Sequence, residues 1–220
     1  MFLKKVSSLQ QYDDKIKNQI SLYRQHIHIL VIDDEDFFYL DNLRRLGYKI
    51  SKQNDVKSIS DIDSYRIVLC DIKGVGVELS KEHQGAFVIR EIKKYKPDTV
   101  VIAYTASKYD ANAHDYLRIA DDVINKSTVF DEWVARLDDK IYNLLSPYQL
   151  WNKLEQQLKL AGCSKLRMRL VENNFVDSYL TNQSDRLINM NKGIKMDLST
   201  WKTIFDIVSF SVEVINLVKV

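Results

Sequence analysis

The sequence contains four short runs built around Val and Ile, and a charged or hydroxyl side chain follows each of them. The runs are residues 27–32 before Asp33 and Asp34, residues 65–70 before Asp71, residues 100–104 before Thr105, and residues 122–125 before Lys126. Short runs rich in Val and Ile predict buried parallel strands, and an open parallel sheet binds its ligands outside the carboxyl ends of its strands. We therefore expect these five polar residues to converge at one edge of a sheet.

The charges of this expected cluster indicate phosphoryl chemistry. Neighbouring carboxylates repel one another, and a bound divalent cation relieves that repulsion. One lysine and one hydroxyl beside them would complement the oxygens of a phosphate. The residue types at these strand ends therefore predict a site that carries a phosphoryl group on an aspartate.

This residue pattern resembles the receiver domain of two-component response regulators over residues 26–145. The resemblance implies an α/β fold, a doubly wound, five-stranded parallel sheet of the flavodoxin-like receiver type. It also implies that Asp71 accepts a phosphoryl group from a phosphohistidine and that Thr105 and Lys126 contact the phosphoryl oxygens. The implied cofactor is Mg²⁺, and its implied ligands are Asp33, Asp34, Asp71 and the backbone carbonyl of Lys73.

The chain departs from the receiver pattern around the expected site. The loop after Asp71 is longer than receivers usually have and lacks the usual proline, although Gly85 resembles the glycine that starts their third helix. Val123 stands where receivers often place an aromatic residue that rotates on activation. Tyr104 could replace that ring, but side chains alternate along a strand, so we expect it to point away from Thr105.

Periodicity and helix-breaking residues give the remaining organisation. We predict an amphipathic helix at residues 7–24, which either covers apolar surface of the same chain or binds a partner or a second copy. Inside the receiver we predict a strand at 48–52 and helices near 37–46, 56–62, 86–95, 109–119 and 129–145. The corner at Ser146 and Pro147 is the expected domain limit.

Three segments follow from this division of the chain. Residues 1–25 form an N-terminal helical extension, residues 26–147 the receiver domain, and residues 148–220 a smaller, mainly α-helical output or oligomerisation module. In the last segment, residues 198–218 predict a helix with a narrow polar stripe, which is either the central helix of this module or a dimer interface. A strand at residues 210–220 is the alternative, and a membrane span is disfavoured by Asp206 and Glu213.

Composition limits the classes of function. The chain has 32 basic and 30 acidic residues, a balance that does not support a nucleic-acid partner. Cys70 and Cys163 do not suggest a disulfide framework, and no apolar stretch follows Lys4 and Lys5 as a secretory signal would require. We therefore expect a cytoplasmic protein.

The resemblance also implies partners and an activity class. The phosphoryl donor would be a histidine kinase or a phosphotransfer protein, and the output would pass through a protein partner or through self-association. We expect no enzyme activity beyond Mg²⁺-dependent self-phosphorylation and self-dephosphorylation of the receiver. Two alternatives stay open: a receiver-like scaffold that works without phosphorylation, and a DNA-binding regulator with an atypical C-terminal reader.

Overall fold

The chain divides into two compact units in the computed structural model, which describes residues 4–106, 117–188, 190 and 194–218. Arg24–Lys140 forms one unit, and Met1–Tyr23 together with Ile141–Val220 forms the other. This grouping differs from the three segments expected from the sequence. The N-terminal helical residues belong with the C-terminal helices, and the units divide between Lys140 and Ile141, seven residues before the limit expected after Pro147.

The strands of the described residues form a five-stranded sheet in which every pair is parallel. They are β1 (His28–Ile32), β2 (Lys49–Gln53), β3 (Ile67–Asp71), β4 (Val100–Thr105) and β5 (Asp122–Asn125), in the spatial order β2-β1-β3-β4-β5. This is the strand order of the flavodoxin-like doubly wound fold. The expected fold class is therefore confirmed.

Helices precede, separate and follow these strands. In chain order they are α1 (Gln10–Asn18), α2 (Ile20–Tyr23), α3 (Leu40–Arg45), α4 (Gln84–Tyr95), α5 (Phe130–Leu145), α6 (Pro147–Leu160), α7 (Lys165–Thr181), α8 (Asp185–Ile188) and α9 (Leu198–Leu217). Short 3-10 segments lie at Val6–Leu9, Arg24–His26 and Ile59–Ile62. The helix predicted near residues 109–119 falls largely on residues 107–116, outside the described residues.

Both faces of the sheet are buried, which explains its apolar strands. On one face, Val68 and Val101 pack in a core with Val88 and Ile92 of α4. On the other face, the ring of Tyr104 packs against Trp133 of α5, with 5.9 Å between the ring centroids. Because helices cover both faces, every residue of β3 is buried, and its sequence shows an uninterrupted apolar run instead of alternation.

The helix predicted at residues 56–62 is shorter than expected. Only Ile59–Ile62 is helical, as a 3-10 turn, and Ser58 is its N-cap residue. The Asp61 carboxylate accepts hydrogen bonds from the backbone N–H groups of Lys57 (2.9 Å) and Ser58 (3.0 Å). This capping box fixes the start of the turn at Ile59, so the residues before it remain outside the helix.

The N-terminal residues pack within the helical unit. Leu9, Ile16 and Tyr23 are completely buried. The backbone N–H of Lys4 donates to the Asn173 side chain of α7 at 3.0 Å, and the Ser146 hydroxyl donates to the buried carboxylate of Asp13. Of the two roles considered for the N-terminal helix, the structure thus shows the first, coverage of apolar surface of the same chain.

The last helix, α9, is a core element of the same unit. Trp201, Val208, Val212 and Ile215 are buried, and Ser211 donates a hydrogen bond of 2.6 Å to the backbone carbonyl of Leu145. The alternative of a strand at residues 210–220 is wrong for the described part, because the helix continues to Leu217. No helix among the described residues is long and apolar enough to cross a membrane.

We predict that Leu9→Ala destabilises the protein by about 2–5 kcal/mol, since it leaves a cavity where a fully buried side chain was. Leu160→Ala is the matched control because that leucine is 82% exposed, and it should leave stability nearly unchanged. Urea unfolding followed by circular dichroism measures both. Equal midpoints for the two variants would show that the N-terminal segment is not part of the core of the helical unit.

Candidate functional site

The polar strand ends meet at a cavity of about 250 Å³ on the carboxyl edge of the sheet. The cavity is lined by Asp34, Glu35, Asp71, Lys73, Gly74, Thr105, Ala106 and Lys126. Asp33 belongs to the same cluster but is only 1% exposed, and its carboxylate contacts the Lys126 ammonium group. The structure therefore brings together every residue that the sequence assigned to the site.

Asp71 ends β3 and is nearly buried. One of its carboxylate oxygens, Oδ1, accepts the backbone N–H of Ile72 at 2.6 Å and that of Lys73 at 3.4 Å. The other oxygen, Oδ2, lies 2.5 Å from Nζ of Lys126. Burial raises the pKa of Asp71 above its ordinary value, and the hydrogen bond and charge of Lys126 oppose this shift. The lysine thus favours the charged carboxylate, the form that can act as a nucleophile.

Lys126 follows β5 directly and supplies the positive charge of the site. Its Nζ atom lies 3.3 Å from Oδ2 of Asp33 and 3.9 Å from Oε2 of Glu35, besides its contact with Asp71. Burial alone would lower the pKa of Lys126, but the hydrogen bonds and charges of Asp71 and Asp33 outweigh it and raise that pKa. The lysine therefore stays charged between two buried carboxylates.

Asp33, Asp34 and Asp71 fit a divalent metal ion. Each offers a carboxylate oxygen, and these three oxygens lie within 4.8 Å of one another. Asp34 is exposed, and its carboxylate makes no hydrogen bond or ion pair with the part of the chain that the structure describes. Carboxylate and backbone carbonyl oxygens are the ligands that Mg²⁺ uses in proteins. Lys73 also lines the cavity, as expected if its backbone carbonyl is a ligand.

Asp33 has a third partner that the sequence did not reveal. Its Oδ1 atom accepts the backbone N–H of Glu35 at 2.8 Å, and its Oδ2 atom accepts the hydroxyl of Tyr104 at 2.5 Å as well as Lys126. Burial and the hydrogen bond to Asp33 raise the pKa of Tyr104. The phenol therefore remains protonated at neutral pH and donates to the carboxylate.

Two glycines, Gly74 in the loop after β3 and Gly85 in the first turn of α4, allow the backbone to approach the acidic residues closely. A Cβ atom at Gly85 would lie 1.8 Å from the backbone oxygen of Asp71, and one at Gly74 would lie 2.2 Å from the carboxylate of Asp34. Gly74 also has φ of 80°, in the left-handed region. Its backbone N–H donates to the side chain of Gln84 at 2.9 Å. Any larger residue at position 85 would therefore clash with the backbone of Asp71, which explains why a glycine stands there.

Cys70 lies immediately before Asp71 but takes no part in the cavity. Its side chain is completely buried, and its Sγ atom lies 3.3 Å from the backbone oxygen of Asp71. Burial and the nearby carboxylates raise the pKa of this thiol. It therefore stays protonated and unreactive at neutral pH.

No family model and no curated protein matches this chain. Among solved structures, it is similar to the receiver domain of NtrX from Brucella abortus, with 26% identity, 51% of this chain and 97% of that chain covered, and a TM-score of 0.44. It is also similar to a CheY-like response regulator receiver domain protein from Methanospirillum hungatei JF-1, with 22% identity, 52% of this chain and 93% of that chain covered, and a TM-score of 0.43.

A third similar structure is a response regulator from Thermotoga maritima, with 22% identity, 53% of this chain and 98% of that chain covered, and a TM-score of 0.42. Each of these similarities spans about half of the present chain. Two of these three similar structures are receiver domains, and the third is a response regulator.

Proposed function

We propose that this chain is a cytoplasmic response regulator that accepts a phosphoryl group on Asp71 from a histidine kinase or a phosphotransfer protein. The observation that carries this proposal is the meeting of Asp34, Asp71, Thr105 and Lys126 around one cavity, with Asp33 directly behind it. Together these residues offer a nucleophile, a hydroxyl, a cation and two further acids, which are the residue types that we expect phosphoryl transfer to a carboxylate to use.

The proposed transfer is an in-line displacement at phosphorus. A carboxylate oxygen of Asp71 forms a bond to phosphorus while the bond between phosphorus and the imidazole nitrogen of the donor histidine breaks, and the imidazole keeps the electron pair. The backbone N–H groups of Ile72 and Lys73 hold one oxygen of Asp71, and Lys126 holds the other. The chain thus contributes orientation and charge, and the donor supplies the energy of the phosphoryl bond.

Mg²⁺ is the cofactor that we propose for this site. Asp33, Asp34, Asp71 and the backbone carbonyl of Lys73 would hold it, because the three carboxylates already lie within 4.8 Å of one another. When bound, the ion offsets the negative charge of the acids and of the transferred phosphoryl oxygens. The exposed Asp34 is the side chain that an ion can reach without first displacing Lys126.

The proposed switch follows from the added charge. A phosphoryl group brings a charge of about −1.5 to −2 and new acceptor oxygens. We expect Thr105 and Lys126 to contact these oxygens, since both residues line the cavity. Lys126 would then divide its positive charge between the phosphoryl group and Asp33, and this change favours one of two local arrangements. We propose that the output is a protein interaction or a change in self-association.

We predict that Asp71→Asn abolishes phosphorylation. Wild-type protein incubated with acetyl phosphate and MgCl₂ should gain the mass of one phosphoryl group on intact-mass analysis, whereas Asp71→Asn should gain none. Asp41→Asn is the matched control, because Asp41 is an exposed aspartate paired with Arg44. This variant should be labelled like the wild type.

Two outcomes would contradict the assignment. Label that persists in Asp71→Asn would place the phosphoryl group on another residue, and equal labelling with excess chelator would remove the proposed role of Mg²⁺. A wild-type chain that no donor labels would favour the scaffold alternative, in which output does not depend on phosphate.

We predict that Lys126→Ala folds but loses about 2–4 kcal/mol of stability, because it leaves Asp33 and Asp71 without their shared cation. The loss should be smaller than for a fully buried pair, since the Lys126 side chain is 25% exposed. MgCl₂ should raise the melting temperature of Lys126→Ala more than that of the wild type, because the ion replaces the missing charge. Phosphorylation should be weaker in this variant.

Lys93→Ala is the control for this measurement. Lys93 is similarly exposed and pairs with Asp121, but it does not line the cavity. Its melting temperature should therefore respond to MgCl₂ as the wild type does. If Lys126→Ala is unfolded even in MgCl₂, the lysine is a structural partner of the acids and not a switch residue.

A further inference from the structure

The hydroxyl of Tyr104 contacts a carboxylate that the proposed function assigns to the metal. It lies 2.5 Å from Oδ2 of Asp33, and Tyr104 is 1% exposed. The backbone of Tyr104 pairs with Asp71 in the register of β3 and β4, so the tyrosine is fixed at the same level of the sheet as the proposed phosphoacceptor. Tyr104 therefore joins β4 to one of the three acids through a side-chain hydrogen bond.

The Tyr104 ring packs against two other aromatic rings, those of Phe37 and Trp133. The centroid of its ring lies 5.7 Å from that of Phe37 and 5.9 Å from that of Trp133, both in edge-to-face geometry, and Phe37 and Trp133 lie 5.3 Å apart. Such contacts between buried rings restrict the position of each ring. The hydroxyl is thus a donor with little freedom to move away from Asp33.

The Tyr104 hydroxyl completes the hydrogen bonds of a buried anion. Asp33 receives one backbone N–H on Oδ1, and on Oδ2 it receives Tyr104 at 2.5 Å and Lys126 at the longer distance of 3.3 Å. Lys126 is closer to Asp71, at 2.5 Å. Without the hydroxyl, Asp33 would compete with Asp71 for the same ammonium group or turn away from its present orientation, because an unpaired buried acceptor is costly.

We propose that Tyr104 is a positioning residue for the metal site, in that its hydroxyl holds the Asp33 carboxylate in the orientation that Mg²⁺ binding needs. This inference rests on the proposed function, because it takes Asp33 as a metal ligand. Partners that orient metal-binding side chains typically change metal affinity by about 10–100-fold when they are removed. The hydroxyl, not the ring, is the part of Tyr104 with this role.

The test compares Tyr104→Phe with Tyr39→Phe in the full chain. Tyr39 belongs to the same group of rings, since its ring lies 6.4 Å from that of Phe37, but its hydroxyl donates to the backbone carbonyl of Thr128 at 3.2 Å. Isothermal titration with MgCl₂ should show binding at least about 10-fold weaker for Tyr104→Phe. Tyr39→Phe should bind Mg²⁺ as the wild type does.

A second measurement separates positioning from a general structural effect. The labelling rate with acetyl phosphate should be reduced in Tyr104→Phe at low MgCl₂ and should approach the wild-type rate at saturating MgCl₂. A defect that persists unchanged at saturation, or Mg²⁺ affinity equal to that of the wild type, would overturn the inference. Both results would leave the proposed function intact, whereas a wild type that neither binds Mg²⁺ nor becomes labelled would contradict the proposed function itself.

A second variant keeps the inference testable if Tyr104→Phe does not fold. Phe37→Leu keeps the Tyr104 hydroxyl but removes one of the rings that hold it, and it should weaken Mg²⁺ binding in the same direction by a smaller factor. If Tyr104→Phe is unfolded and Phe37→Leu binds Mg²⁺ with wild-type affinity, the restraint on Tyr104 has no influence on the metal site and the inference fails.

Discussion

The contact of Lys126 with Asp33 and Asp71 is the interaction on which the site depends. The parallel sheet places the carboxyl ends of β1 and β3 side by side. Asp33 directly follows β1 and Asp71 is the last residue of β3, and both aspartates are buried. Two such charges repel each other unless a cation lies between them. The lysine after β5 supplies that cation, at 2.5 Å from Asp71 and 3.3 Å from Asp33. Lys126 therefore offsets the repulsion between the two acids that the strand order brings together.

The strand ends could be predicted from the sequence because the signals are local. The strand that ends at Asp71 is buried on both faces, so its run of apolar residues marks it without any knowledge of its neighbours. The contact between Tyr104 and Asp33 could not be predicted in this way. Alternation correctly assigned Tyr104 to the face opposite Thr105, but only the three-dimensional register brings its hydroxyl to Asp33, one residue beyond β1. The predicted face was right, whereas the contact depended on an element distant in sequence.

The helical unit shows a different limit. The sequence predicted α9 and its narrow polar stripe, but the apolar surface beside that stripe does not reveal what covers it. The structure buries Trp201, Val208 and Val212 within the same chain, and the N-terminal helical residues complete that unit from more than a hundred residues away in sequence. Hydrogen bonds such as that from Lys4 to Asn173 have no sequence signal, because a single polar pair at such separation follows no period. The helix predicted at residues 56–62 is shorter in the structure. The Asp61 carboxylate accepts hydrogen bonds from the backbone N–H groups of Lys57 and Ser58, and the helical turn therefore begins only at Ile59.

The complete burial of Cys70 gives the chain a native marker for the opening of its sheet. The structure contains free cysteines at Cys70, which is buried in β3, and at Cys163, which is partly exposed in the helical unit. A thiol-reactive dye should therefore attach to Cys163 while the protein is folded, and modification of Cys70 requires that β3 lose its cover. The rate at which the second thiol reacts would then report how often the strand that bears Asp71 becomes accessible.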